Sequence, residues 1–232
     1  MFNGLVREIA RVKSYQNNTL SLIARHKPSL GDSIAVNGAC LTVTQVFTNG
    51  FAVELSRETR THIATENLRD KVHIEPALRY GERIDGHLLQ GHIDGVGEIS
   101  RIERNENGVD FFVKIPPNLT QFMAQKGSVA IDGISLTINE VYQNSIRLTL
   151  IPLTLKESLF GSYQVGRRVN VESDLLARYT ARIIKMQGFN SQNSQSSPTQ
   201  AHFVAQDDEF ERANLEQKGL SWQDIEKISY LY

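Results

Sequence analysis

The sequence predicts an all-β protein made of two tandem, homologous copies of one small domain, followed by a C-terminal helix and an extra tail. Three observations predict it. The first is a repeat: "GDSIAVNGACLTVTQV" (Gly31 to Val46) lies over "KGSVAIDGISLTINEV" (Lys126 to Val141) at an offset of 95 residues. Ser33, Ala35, Gly38, Leu41 and Thr42 then meet Ser128, Ala130, Gly133, Leu136 and Thr137, while Asn37 falls on Asp132 and Cys40 on Ser135. The second is collinearity. Val53, Leu55 and Thr59 fall on Leu148, Leu150 and Thr154, and "KVHIEPALRY" answers "RVNVESDLLARY". At the front, Asn3-Gly4-Leu5 sets on Asp94-Gly95-Val96 at an offset of 91, so that the second copy opens near Gly91. The third is periodicity: short segments alternate apolar and polar residues between turn signals, the signature of half-buried strands.

Taken in order, the strands expected in the first copy are "LTVTQV", "FAVEL" and "VHIE". Those in the second are "FFVKI", "LTINEV", "IRLTL" and "VNVE". Asn37-Gly38, Asn49-Gly50, Asn107-Gly108 and Asp132-Gly133 supply the turns, because such pairs accept the positive φ of tight hairpins. Strands at spacings of about ten residues predict a small closed barrel or sandwich per copy. The copies span 1–87 and 88–184. In "SDLLARYTARIIKM" Ser173 is placed to cap a helix over about 173–186, with Leu175, Leu176, Tyr179, Ile183 and Met186 on one stripe. That stripe needs a cover, either its own barrel or a second copy of the chain. Residues 187–232 are an extra tail: a polar, low-complexity stretch at 190–200, then a helix expected from Ser221 with Asp224 nearby and Ile225, Ile228 and Tyr232 on one side.

Charge and composition exclude several classes. The chain carries 25 basic and 26 acidic residues, so no basic stripe is available to track a nucleic-acid backbone. Its one cysteine, Cys40, excludes an internal disulfide framework and fits a reducing compartment. "MFNGLVREIA" lacks the basic and apolar regions of a secretion signal, and no apolar run is long enough to span a membrane. A cytoplasmic protein with a small-molecule ligand is expected.

No phosphate loop, zinc-ligand pair or nucleophile elbow is present. His87 and His92 stand five apart in "GHLLQGH", and an odd separation along a strand sends them to opposite faces, so no metal site is expected there. Cys40 alone would read as a small buried apolar side chain, and Ser135 or Thr137 as hydroxyls bonding to nearby backbone. The repeat changes that reading. Cys40 and Ser135 occupy equivalent places after a glycine turn, and Thr42 and Thr137 follow on the same faces. Two similar but unequal pockets result, suited to a reaction in which two like substrates meet different fates.

At these residues the chain resembles the riboflavin synthase family of the alpha-chain, duplicated lumazine-binding barrel type. The matching segments are "MFNGLV", "SIAVNGACLTV", "RET", "GHLLQGHIDGVGEI", "KGSVAIDGISLTI", "IPLTL" and "GRRVNVESDLLARY", spread in order over about residues 1–180. The resemblance implies two six-stranded antiparallel barrels and a helix through which three chains associate, with the active site between neighbouring chains. It implies a cofactor-free transfer of a four-carbon unit between two molecules of 6,7-dimethyl-8-ribityllumazine, the last step of riboflavin biosynthesis. The products are riboflavin and 5-amino-6-(D-ribitylamino)uracil. Association with a lumazine synthase is a further partner the family suggests.

Carried over, His92 takes the proton-transfer role, with Thr137 near the exchanged proton and Ser135 as a polar contact or nucleophile. Cys40 sits against substrate in the other pocket, and Ser33 and Asp132 support. Binding contacts fall at Gly4, Leu5 and Val6; at Cys40, Leu41 and Thr42; and along Glu54, Leu55, Ser56, Arg57, Glu58 and Thr59. The second pocket takes Gly91, His92, Ile93, Lys126, Ser135, Leu136 and Thr137, then Thr149, Leu150, Ile151, Pro152, Leu153 and Thr154. Asn3, Asp85 and Leu153 depart from the family's usual residues. A non-catalytic lumazine- or flavin-binding antenna protein on the same barrels is the alternative. Such relatives lose the residues matching Cys40 and His92, and both are present here.

Overall fold

The computed structural model describes residues 1–106 and 108–193, with side chains up to residue 186. The first copy contributes β1 (Glu8–Gln16), β2 (Thr19–Ile23), β3 (Ser33–Val36), β4 (Ala39–Phe47), β5 (Gly50–Glu54) and β6 (Lys71–Pro76). They close into an antiparallel barrel in the order β1-β2-β5-β4-β3-β6. The second contributes β7 (Gly95–Asn105), β8 (Gly108–Lys114), β9 (Ser128–Ile131), β10 (Ile134–Val141), β11 (Ser145–Leu150) and β12 (Arg168–Ser173). Its closed order, β7-β8-β11-β10-β9-β12, repeats the first strand for strand. Closure removes every sheet edge. Alternation decides which side chains fill each barrel. On β4, Leu41 and Val43 are buried while Cys40 and Thr42 face outward; on β10, Ile138 is buried while Thr137 is exposed.

The structural register corrects the offset expected at the front. Ile9 pairs with His73 and Val96 with Asn170, so the equivalence there is 87 residues, and Gly4 corresponds to Gly91 rather than to Gly95. Both glycines confirm it by conformation, with φ of 76° and 75°. The hairpin between β7 and β8 and the segment before β9, which carries a 3-10 turn at Pro117–Phe122, then lengthen the second copy. Paired turns close the equivalent hairpins: Asn37-Gly38 and Asp132-Gly133 all have positive φ. Asn17 and Asn18 form a further turn of this kind between β1 and β2. The turn expected at Asn107-Gly108 involves Asn107, which lies outside the described residues.

Two short helices, α1 (Arg57–His62) and α2 (Pro152–Glu157), follow β5 and β11 at equivalent places. The last helix, α3, covers Leu175–Asn193. Its cap is Asp174, whose Oδ1 accepts from the Leu176 N–H at 2.7 Å, and not Ser173 as the sequence suggested. Ser173 ends β12 instead, its N–H and hydroxyl both donating to Asp94 at 2.7 Å. Of the expected stripe, Leu175 is half-buried, whereas Leu176, Tyr179, Ile183 and Met186 are exposed. The polar stretch at 190–200 begins inside α3; its remainder and the helix expected from Ser221 lie outside the described residues.

The barrels meet at their paired turns. A Cβ on Gly38 would stand 2.7 Å from the Gly133 nitrogen, and the reverse holds equally. Around this contact two unlike residues do one job. Asn170 donates from Nδ2 to the Asn37 carbonyl and accepts the Ala64 N–H at Oδ1, each at 2.8 Å. His73, at the same place in the first copy, accepts the Leu159 N–H at Nε2 (2.8 Å), which leaves Nδ1 to donate to the Asp132 carbonyl at 3.0 Å. Burial pushes the His73 pKa down to about 4, keeping the ring neutral in this role.

Candidate active site

Each barrel lends the other a strap. Before β1, Phe2 to Val6 reaches onto the second barrel; before β7, Leu89 to Ile93 reaches onto the first. Phe2 and Leu89 form a bridge between the straps, and Val6 packs on the second barrel's core while Ile93 packs on the first's. Gly4 accepts the Ser135 N–H, and Gly91 accepts the Cys40 N–H, both at 2.8 Å. A Cβ at either glycine would lie 2.6 Å from the Cβ of Ser135 or Cys40. Only glycine permits both the positive φ and this approach.

The first barrel and its borrowed strap enclose a cavity of about 410 Å³, within the range of small-molecule sites. Cys40, Glu58 and Thr59 line it with Ala39, His62, Ile63 and Asp94; Gly91, His92 and Ile93, expected in the second pocket, line this one instead, because their strap crosses onto the first barrel. Ser56 caps α1 by accepting the Thr59 N–H at 3.0 Å, which fixes the wall carrying Glu58 and Thr59. Next to it, Ser33 stands opposite Thr42 across the β3–β4 ladder, one register step from Cys40 on the same outer face. Leu41 and Leu55 are core residues, while Glu54 and Arg57 are exposed beyond the ladder.

The equivalent face of the second barrel carries Ser135 and, on its far side from the turn, Thr137 opposite Ser128. Here the structure adds a residue that sequence reasoning set aside. His87 Nδ1 lies 2.6 Å from Ser135 Oγ, and its Nε2 is buried without a partner among the described residues. Burial lowers its pKa, so the neutral ring is a base held against a hydroxyl. Asn3 anchors the segment that delivers His87: its Oδ1 accepts the Gly86 N–H at 2.7 Å and its Nδ2 donates to the Arg83 carbonyl at 3.1 Å. Asp85 pairs with Arg83 at the surface. Gly4, Leu5 and Val6, expected beside Cys40, border this face instead, because their strap crosses onto the second barrel; Leu136 packs on the barrel core, Leu150 is fully buried, and Lys126, Ile151, Pro152 and Leu153 are exposed with Thr154 half-buried beside them. Thr149 is committed to Asp110, donating at 2.6 Å.

Asp132 stands apart from both faces. It is fully buried, accepting from the Asn170 N–H at 2.8 Å and from the Tyr163 hydroxyl at 2.6 Å. Burial raises its pKa to about 6, against the opposing pull of the Tyr163 bond. Its place is the barrel contact.

Duplicated closed barrels, each completed by a glycine-tipped strap from the other, with a cavity on the first, define a class of small-ligand-binding protein. The sequence matches the family model of the lumazine binding domain twice, over residues 3–77 and 90–174. It is 39% identical over 204 residues to the riboflavin synthase of Photobacterium leiognathi, covering 84% of this chain and 94% of that one. It is 37% identical to the enzyme of Bacillus subtilis (79% and 90% covered) and 39% to that of Brucella abortus (81% and 100%). Crystal structures of LumP, complexed with 6,7-dimethyl-8-(1'-D-ribityl) lumazine or with riboflavin, share the fold at TM-scores of 0.64 and 0.67. Their identities are 22% and 23%, covering 75% of this chain and 99% of theirs. The chain belongs to the lumazine-binding-domain family, among the riboflavin synthases.

Proposed function

We propose that the chain transfers a four-carbon unit between two molecules of 6,7-dimethyl-8-ribityllumazine, forming riboflavin and 5-amino-6-(D-ribitylamino)uracil. The observation that carries this reading is the pair of equivalent but unlike faces, Cys40 with His92 on one and Ser135 with His87 on the other. Identical substrates placed on unlike surfaces acquire different roles, one giving and one receiving the unit. The substrate's C7 methyl is acidic because its carbanion delocalises into the ring system, so an imidazole working near neutral pH suffices as base. His92 fills that role in the cavity. Ser135 and Cys40 are the candidate nucleophile or polar contacts, and holding the two rings in register replaces a bimolecular encounter by a positioned one.

The stripe of α3 supports association of chains through this helix, three by family precedent, with the second face of one chain meeting the first of a neighbour. Leu176 and Tyr179 are 74% and 61% exposed, an apolar surface that calls for cover. No helix among the described residues is long and apolar enough to cross a membrane. Supplying the purified chain with 6,7-dimethyl-8-ribityllumazine alone tests the proposal. Riboflavin absorbance should appear without any added cofactor. Tight binding without product would replace it by the antenna reading, and neither binding nor product would overturn both.

A further inference from the structure

Two glutamates that contribute nothing to either face hold both straps. Glu75, on β6, is 4% exposed; its Oε1 accepts the Asn3 N–H at 2.7 Å and its Oε2 the Gly4 N–H at 3.1 Å. Glu172, at the same place on β12, is 1% exposed and takes the Gln90 and Gly91 N–H groups at 2.8 and 3.0 Å. Both oxygens of each carboxylate therefore receive consecutive backbone donors. The same two glycines present their carbonyls to the Ser135 and Cys40 amides. Each glutamate thus ends a short rigid line: carboxylate, strap glycine, reactive residue of the opposite barrel. His92 is the next residue after Gly91. Neither glutamate lines the cavity, and a carboxylate buried this deeply is costly unless its bonds compensate.

We infer that Glu172 and Glu75 are positioning residues, fixing His92 against Cys40 on one face and the Gly4 strap against Ser135 on the other. The inference rests on the reaction proposed above. The fork works in the ionised form, since a protonated carboxyl turns one oxygen from acceptor into donor and releases one of the two backbone N–H groups. Around Glu172 the charged groups are Arg178, 3.6 Å away, and Asp94; around Glu75 it is Arg7. Burial raises both carboxyls from 4.5 to about 7, overcoming the backbone bonds that lower them. Within the closed strap both oxygens therefore accept only once pH exceeds about 7. The sign for stability is opposite. A carboxyl raised by folding stabilises the folded state below its unfolded value and loses that contribution as pH climbs to the folded one. Turnover and this contribution to stability move in opposite directions across the same window, which a purely structural carboxylate would not produce.

The test compares the full-length chain with Glu172→Gln and Glu75→Gln in riboflavin formation across neutral pH. Turnover of the unaltered chain establishes the reaction independently; without it the parent reading fails first. Given turnover, each variant should lose about 10–100-fold in kcat, the scale of a small misplacement, with KM little changed. Each should also lose part of the acid limb of the kcat profile. A wild-type kcat in both, or equal losses at all pH with the limb intact, would overturn the inference. Should either variant fail to fold, amide hydrogen exchange on the unaltered chain decides. Protection factors at Gly4 and Gly91 should fall as pH climbs from about 4.5 to about 7, because opening a strap frees a carboxyl whose pKa burial had raised, while that of Leu148 in the core stays level. Flat protection at both glycines would overturn it.

Discussion

The two barrels agree in what holds them and differ in what they offer a ligand. Gly4 and Gly91 share one conformation and one close contact, and Glu75 and Glu172 make the same fork of bonds. At the cavity the correspondence ends: Cys40 answers Ser135, His92 answers Leu5, and Glu58 answers Leu153. Scaffold positions resist change because each satisfies buried backbone groups or forbids a side chain. Outward positions on the same strands carry no such constraint and are free to specialise. Unlike chemistry on a common frame is what the transfer between two identical molecules requires.

The sharpest break in this comparison is His92→Ala, which makes the first face as inert at that position as Leu5 makes the second. Steady-state turnover should fall by about 10²–10⁴-fold, the range of a positioned acid–base group. Rates like those of the unaltered chain would remove His92 from proton transfer.

The next prediction exchanges the barrel-contact residues. His73 is buried neutral, so its contribution to stability is present above its unfolded value of 6.5 and lost as pH falls towards about 4. His73→Asn installs the residue used at Asn170. It should abolish that acid-side loss, on the order of 3 kcal/mol, in denaturant titrations at successive pH values. Asn170→His should import it. An unchanged pH profile in both would show that the two sites are not interchangeable.

Gly4→Ala and Gly91→Ala should each destabilise by about 1–3 kcal/mol, through positive φ and the collision with Ser135 or Cys40. Thermal melting should give closely similar losses. A large disparity would break the equivalence of the straps. The smallest effect on the fold is expected at α3: Leu176→Ser should leave the melting curve of the barrels within about 0.5 kcal/mol while weakening self-association in sedimentation.

Much of this frame was legible in the sequence. Alternation marked β4, β5, β6, β8, β10, β11 and β12, and the repeat fixed Cys40 against Ser135. β3 and β9 escaped the alternation rule because "IAV" and "VAI" are buried on both faces, against the core and against the other barrel. The front offset misled because Gly95 follows an acidic residue much as Gly4 follows Asn3, while the true partner, Gly91, is recognised by φ. Glu75 and Glu172 carry no catalytic signature in the sequence. Their recurrence at one place in both copies was the available signal, but the bonds they make are to main chain and leave no mark in side-chain pattern. His87 was judged only as a metal ligand beside His92; its partner, Ser135, is 48 residues away and only the fold brings them together.

Whether one chain carries two unlike ligand sites on a common frame is decided by a calorimetric titration of the full-length protein with riboflavin. Two molecules should bind per chain at saturation, in two classes of different affinity, with His92→Ala altering only one class. A single class of site, or one molecule per chain, would contradict that arrangement.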